Sequence, residues 1–328
     1  MKHPNVVGTP HLPLTVLSTY IAVTWALAWL AASPVVFTDA ADRGEQPLQT
    51  YYNLVMLTPL IGAIVAYLVE RRHVRARRRE ATDSTDGVHV PTKPQPLVDA
   101  LGITPLRPLG RLIGWSVLSL MLLFAFSVAA LGVGALLGVY PLDPSLPIFV
   151  RELETRLGHD ATEFIAPGLA VEIGQIFLGA LVLVFIHAAQ EMGWRGYLFP
   201  RLQVRWGPGW AVLITGIASG LWYAPLLYLG FFYNLGNIFE SLALMIGYSI
   251  VIGGVLAWLR TRSGSIWPAA FGQSMITSAA VLHFWFAAEG VTVDLRAATL
   301  QGWSGWILPA ILLGILLIMS RKAFAPAR

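Results

Sequence analysis

IFLGALVLVFI (residues 176–186) runs straight into HAAQEMGWRGYLFPRL (187–202), and that join decides the fold class. The first stretch has no polar side chain and reads as helix facing hydrocarbon. The second places a His, a Gln, a Glu and an Arg within nine residues at the end of it. An ionisable group costs several kcal/mol inside a bilayer unless it is paired or hydrated, so such a cluster is a functional candidate by default. His187, Glu191 and Arg195 are spaced i, i+4 and i+8 and are expected on one helix face, with Gln190 beside it, stacked toward Trp194. Glu191 four residues before Arg195 is the favourable order for an ion pair. A purely structural reading competes here: the pair neutralises itself at the membrane boundary while Trp194 and Tyr197 anchor the interface.

The rest of the chain supports a membrane setting. Its 328 residues are 56% hydrophobic and 12% charged, against about a quarter charged in a soluble domain. A helix needs roughly 20 apolar residues to cross the hydrocarbon core. Eight such runs are found, at about 14–37, 51–69, 112–139, 170–190, 209–232, 238–259, 265–286 and 303–320. Their length and continuity favour helices over the alternating strands of a barrel. The first run is too long for a signal peptide and reads as a span. With both termini cytoplasmic, 18 of the 22 Lys and Arg residues fall inside; only Arg43, Arg151, Arg156 and Arg296 fall outside. The expectation is an all-α, polytopic membrane bundle of about eight helices in the cell membrane. Residues 1–111 would form two N-terminal spans and a basic cytoplasmic linker, and residues 112–328 a six-helix bundle.

Several features exclude chemistry. There is no cysteine, hence no disulfide, thiolate site or thiol nucleophile. RRHVRARRR (71–79) reads as an anchor at the end of the second span, suited to anionic lipid, rather than as a nucleic-acid site. Residues 81–96 read as a mobile polar linker and LGITPLRPLGRL (101–112) as an interfacial segment. His159 and Asp160, in the long outer loop, read as solvated. Glu172 begins the fourth span. Glu240 and His283 belong to the outer ends of theirs, His283 about 20 Å from Glu191. No internal repeat is evident, which weighs against a permease with a polar central site.

QEMGWRGYLFPRL (190–202) resembles the first motif of the CPBP superfamily, the CAAX proteases and bacteriocin-processing enzymes, written Glu-Glu-x-x-x-Arg. SGLWYAPLL (219–227) resembles the second motif, Phe-x-x-x-His, and SGSIWPAAFGQSMIT (263–277) the third, Ser-Ile-x-Pro-Ala followed by His-x-x-x-Asn. The three occur in order on successive spans, over about 165–285. The resemblance implies a polytopic intramembrane peptidase with a divalent metal, zinc, as a possible cofactor. It implies membrane-associated peptide or protein substrates and no nucleic acid.

The resemblance breaks at the reacting positions. In the family the first Glu activates a water with help from the two His, and the Asn assists the carbonyl oxygen. Those four positions here are Gln190, Tyr223, Gln273 and Thr277, and the second-motif Phe is Ser219; Glu191 and Arg195 match. An amide cannot take a proton from water, and a phenol with a pKa near 10 is a poor zinc ligand. The expected site therefore joins Glu191, Arg195 and His187 to the motif-equivalent Gln190, Tyr223, Gln273 and Thr277 in one cavity open to the cytoplasm, with no metal ligands assigned. Whether it is an enzyme stays open. One alternative is a rescued hydrolase, with His187 orienting a water, Glu191 as base and Arg195 binding an oxyanion. The other is a non-catalytic relative that holds a peptide, lipid or partner helix as a scaffold or immunity factor.

Overall fold

The computed structural model describes residues 13–38, 48–83, 95–233 and 237–325. Thirteen α-helices follow one another there: α1 Leu14–Val36, α2 Leu48–Asp83, α3 Leu97–Ala100, α4 Leu109–Leu136, α5 Pro147–Leu157, α6 Ile165–Glu191, α7 Phe199–Trp222, α8 Ala224–Tyr228, α9 Ile238–Ser263, α10 Trp267–Ser278, α11 Leu282–Trp285, α12 Ile307–Ile318 and α13 Ser320–Ala323. Among the described residues there is no strand, only an isolated bridge between Leu142 and Ala287. The chain is an all-helical, multi-pass membrane protein. Five helical stretches are long and apolar enough to cross a bilayer, at 14–36, 48–76, 109–136, 162–222 and 238–263.

The helices depart from uniform runs where proline or glycine dictates. Gly207 sits at φ 80°, a left-handed conformation that a residue without Cβ adopts freely, and Pro208 follows it. α7 is therefore two helices, 199–206 and 208–222, meeting at a kink. The fifth run, expected to continue to 232, stops at Trp222. Pro225 has no N–H to give the preceding turn, so the chain turns at Tyr223 and restarts as the short α8. The seventh run is α10, a 3₁₀ turn (Ala279–Val281) and α11 in succession. The eighth is a 3₁₀ turn (Trp303–Trp306) and α12. α2 continues beyond its expected end and carries the basic block as helix. The linker expected over 81–96 lies mostly outside the described residues, as do Lys2, Arg43 and Arg328.

α10 lies at the centre, packed against α4, α6 and α9, while α7 packs along α9 and α1 along α2. Lipid-like surroundings supply no hydrophobic drive between helices, so close approach at small residues has to hold such seams. The α7–α9 seam shows it. A Cβ on Gly216 would lie 2.6 Å from the Ile250 Cα, and one on Gly220 2.6 Å from the Ile246 Cα.

Candidate functional site

The site is built where α6 loses its regular winding. After Glu191 the chain passes into a seven-residue π-helix, Met192–Leu198, before α7 begins. Widened turns of this kind open the helix and recur at functional sites. Here it directs Trp194, Arg195, Tyr197 and Leu198 inward, all of them buried. Gly193 lies against the carbonyl group of Pro59 in α2, and Gly196 against that of Leu101, so neither position has room for a side chain.

Glu191 and Arg195 form a fully buried ion pair, Arg195 Nη1 donating to Glu191 Oε1 at 2.7 Å. Among the described residues, the second oxygen of Glu191 and the Nε of Arg195 have no hydrogen-bond partner. Two charges drawn out of water together are costly, and this environment keeps them only because each is the other's counter-ion. His187 does not join that pair. Its Nδ1 lies 3.2 Å from Gln190 Oε1, and its buried Nε2 has no hydrogen-bond partner among the described residues.

Gln190 reaches across to another helix. Its amide Nε2 donates to the Tyr223 hydroxyl on the neighbouring span at 2.8 Å. The break before α8 puts Tyr223 at that level. The remaining two motif-equivalent residues each meet a tyrosine: Gln273 faces Tyr248 of α9, and Thr277 faces Tyr52 of α2. Tyr223 lies within electrostatic reach of both Tyr52 and Tyr248. The polar floor thus includes the buried His187, Gln190, Tyr223 and Gln273, with the half-buried Thr277 beside them. Ser219 donates to its own helix, to the Gly216 carbonyl.

Sequence reasoning overlooked the residues that close the floor. Tyr20 of α1 is within electrostatic reach of Glu191 and Arg195 and meets the Trp194 ring edge-on at 5.4 Å. Trp222 donates to Thr58 of α2 at 2.9 Å. Glu70 lies between the second apolar run and the basic block. It accepts from Tyr197 at 2.9 Å and from Arg201 Nη2 at 3.0 Å, while Arg201 stacks on the Tyr197 ring. A carboxylate in the last apolar turn of a span was the available signal. Glu172, Glu240 and His283 are elsewhere: Glu172 pairs with Arg156, Glu240 with Arg296, and His283 bonds its own turn at Ala280.

The motif region also matches known proteins. Residues 172–279 match the family model of Type II CAAX prenyl endopeptidase Rce1-like proteins. The match falls on the same three motifs that carry the resemblance to the CPBP superfamily. A curated relative, CAAX prenyl protease 2 of Methanococcus maripaludis, is 25% identical over 150 residues. That alignment covers 44% of this chain and 52% of the relative, so the chain spans about half the length of the curated relative it matches.

A CPBP metal needs His and carboxylate donors, and the residues at the corresponding positions do not fit one. Gln190 and Gln273 offer neutral amides, and Tyr223 a phenol held by an amide N–H. Among the described residues no three His, Asp or Glu side chains converge. Borderline-soft zinc binds imidazole, thiolate and carboxylate, not amides.

Proposed function

We propose that this CPBP-type membrane protein holds a membrane-associated peptide or partner helix without cleaving it. One observation carries the reading: the 2.8 Å hydrogen bond between Gln190 and Tyr223, at the two positions where the family motif has Glu and His. Hydrolysis requires a group that takes a proton from water, and general-base work is worth about 10²–10⁴ in rate. Neither member of this contact has that capacity near neutral pH. Glu191 has the right chemistry, but Arg195 holds it as an ion pair. The buried floor of amides and phenols is suited to recognition, since it offers donors and acceptors with no net charge. In this reading the floor opens toward the basic, cytoplasmic end of an eight-span bundle in the cell membrane. The N-terminal pair (1–111) packs on the six-helix remainder.

A specific observation favours a second reading. His187 Nε2 and Glu191 Oε2 are both buried without a hydrogen-bond partner among the described residues. A water donating to both would be oriented and polarised, with Arg195 beside it to receive negative charge. That is a hydrolase rebuilt one turn from the usual position.

Proteoliposomes carrying a quenched-fluorescent, membrane-anchored peptide separate the two. The expected result is saturable binding without turnover by the wild type. Turnover should appear when Gln190→Glu, Tyr223→His and Gln273→His are installed together with added zinc. Wild-type turnover that survives Gln190→Ala but disappears in Glu191→Gln and His187→Gln, with unchanged thermal midpoints, would overturn the first reading and establish the second.

A further inference from the structure

Away from the polar floor, α4, α6 and α10 enclose a groove of about 330 Å³. Its walls include Leu112, Val117 and Leu120 of α4, Leu181 of α6, and Trp267 and Phe271 of α10. Val117 and Leu181 are about half exposed, so the groove opens sideways onto the surface that a bilayer would cover. From Leu112 to Leu120 the wall rises about 12 Å along the helix. Apart from Ser116 and the Trp267 indole, its described lining is aliphatic or phenyl. Such a surface takes a hydrocarbon chain, and the ends of the groove say which kind of molecule carries it.

One end is basic. Leu106, on the loop leading into α4, also lines the groove, and Arg107 follows it, exposed. Arg111 immediately precedes Leu112 and donates to the Arg262 carbonyl at 2.6 Å. Among the described residues neither arginine has a carboxylate within ion-pair distance. Trp267, the first residue of α10, lies at the same end. Its ring meets Phe185 of α6 edge-on, with centroids 6.5 Å apart. Tryptophan at that level belongs to the membrane interface. Basic pockets between spans are where anionic headgroups bind.

We propose that this groove is a binding site for an anionic phospholipid. One acyl chain lies between α4, α6 and α10 along the Trp267 ring, and the phosphate sits against Arg107 and Arg111. The charge at the mouth distinguishes this occupant from an uncharged lipid tail. α6 and α10 also carry Gln190 and Gln273, so the lipid would brace the two helices that build the floor. The site is independent of whether the floor binds or cleaves peptide.

Quenching by acyl-brominated lipids tests it, with the Trp267 signal isolated as the difference between wild type and Trp267→Phe among the 12 tryptophans. Brominated phosphatidylglycerol is expected to quench that signal at a several-fold lower mole fraction than brominated phosphatidylcholine. Arg107→Gln, at an exposed loop position, should remove the preference while leaving the thermal midpoint unchanged. Ser116→Phe, which fills the groove, should reduce quenching by both lipids. Equal quenching by the two lipids would overturn the proposal. So would displacement of phosphatidylglycerol by a lipid-modified peptide lacking phosphate, which would identify the groove as a peptide-tail site.

Discussion

At the motif end of the bundle, Glu191 and Arg195 have side chains 0% and 5% exposed, and Glu70 and Arg201 are 13% and 6% exposed. At the opposite end, Arg151 and Glu289 are 61% and 53% exposed, and Arg296 and Glu240 are 26% and 50% exposed. Both ends contain ion pairs of similar composition, but their surroundings differ. The exposed pairs are screened by water and hold loops together; they compete with hydration for every bond they make. The buried pairs have no water to return to. They make the motif end intolerant of losing a single charge, and they fix the depth at which the π-helix, α2 and the loop before α4 meet.

The most disruptive change should therefore be Arg195→Ala. It strands the Glu191 carboxylate in the interior, and removing one partner of a buried pair costs about 3–5 kcal/mol. The thermal midpoint in detergent micelles should fall accordingly. The double variant Glu191→Leu/Arg195→Met removes both charges at similar volume and should recover most of the loss. If the single variant melts with the wild type, the contrast between the two ends is wrong. Next comes Glu70→Ala, which takes the acceptor from Tyr197 and two Arg201 nitrogens. Hydrogen bonds to a charged group contribute about 1.5–3 kcal/mol, and a fall of about 2 kcal/mol is expected. Arg151→Ala should change stability by less than about 1 kcal/mol, because both its partner and itself are open to water. A larger effect would mean that the outer loops contribute more to the fold than their exposure indicates.

The bundle was legible in the sequence because uninterrupted apolar runs have few alternatives at this length. Two internal cues, Gly207-Pro208 and Pro225, were also present and mark where α7 kinks and ends; the run-length reading passed over them. The motif residues could be placed on successive spans, and Gln190 and Tyr223 do meet. What could not be read was the set of partners supplied by other helices. Tyr20, Tyr52 and Tyr248 look like ordinary residues of apolar spans, since a phenol is apolar over most of its surface and reveals its polar end only when a neighbour is known. The π-helix was equally hidden. HAAQEMGWRGYL has an i, i+4 pattern that fits a regular α-helix, and the extra width is dictated by where Pro59 and Leu101 press on Gly193 and Gly196.

The smallest expected effect lies in the outer loops, and it has a definite sign. Asp143 accepts from the backbone N–H of Ser145 at 2.9 Å and from its hydroxyl at 2.7 Å. These hydrogen bonds favour the carboxylate and hold the Asp143 pKa below the ordinary aspartate value. Asp160 is held below it in the same way by the Thr162 hydroxyl and N–H. A carboxyl whose folded pKa is depressed contributes stability above its unfolded value, about 3.9, and loses it as pH falls through the folded value. The wild type and the double variant Asp143→Asn/Asp160→Asn should therefore differ most near neutral pH. Their thermal midpoints should converge as pH drops from about 5 to about 2. A gap that stays constant over that range would mean that these carboxyls do not favour the folded state through their charge.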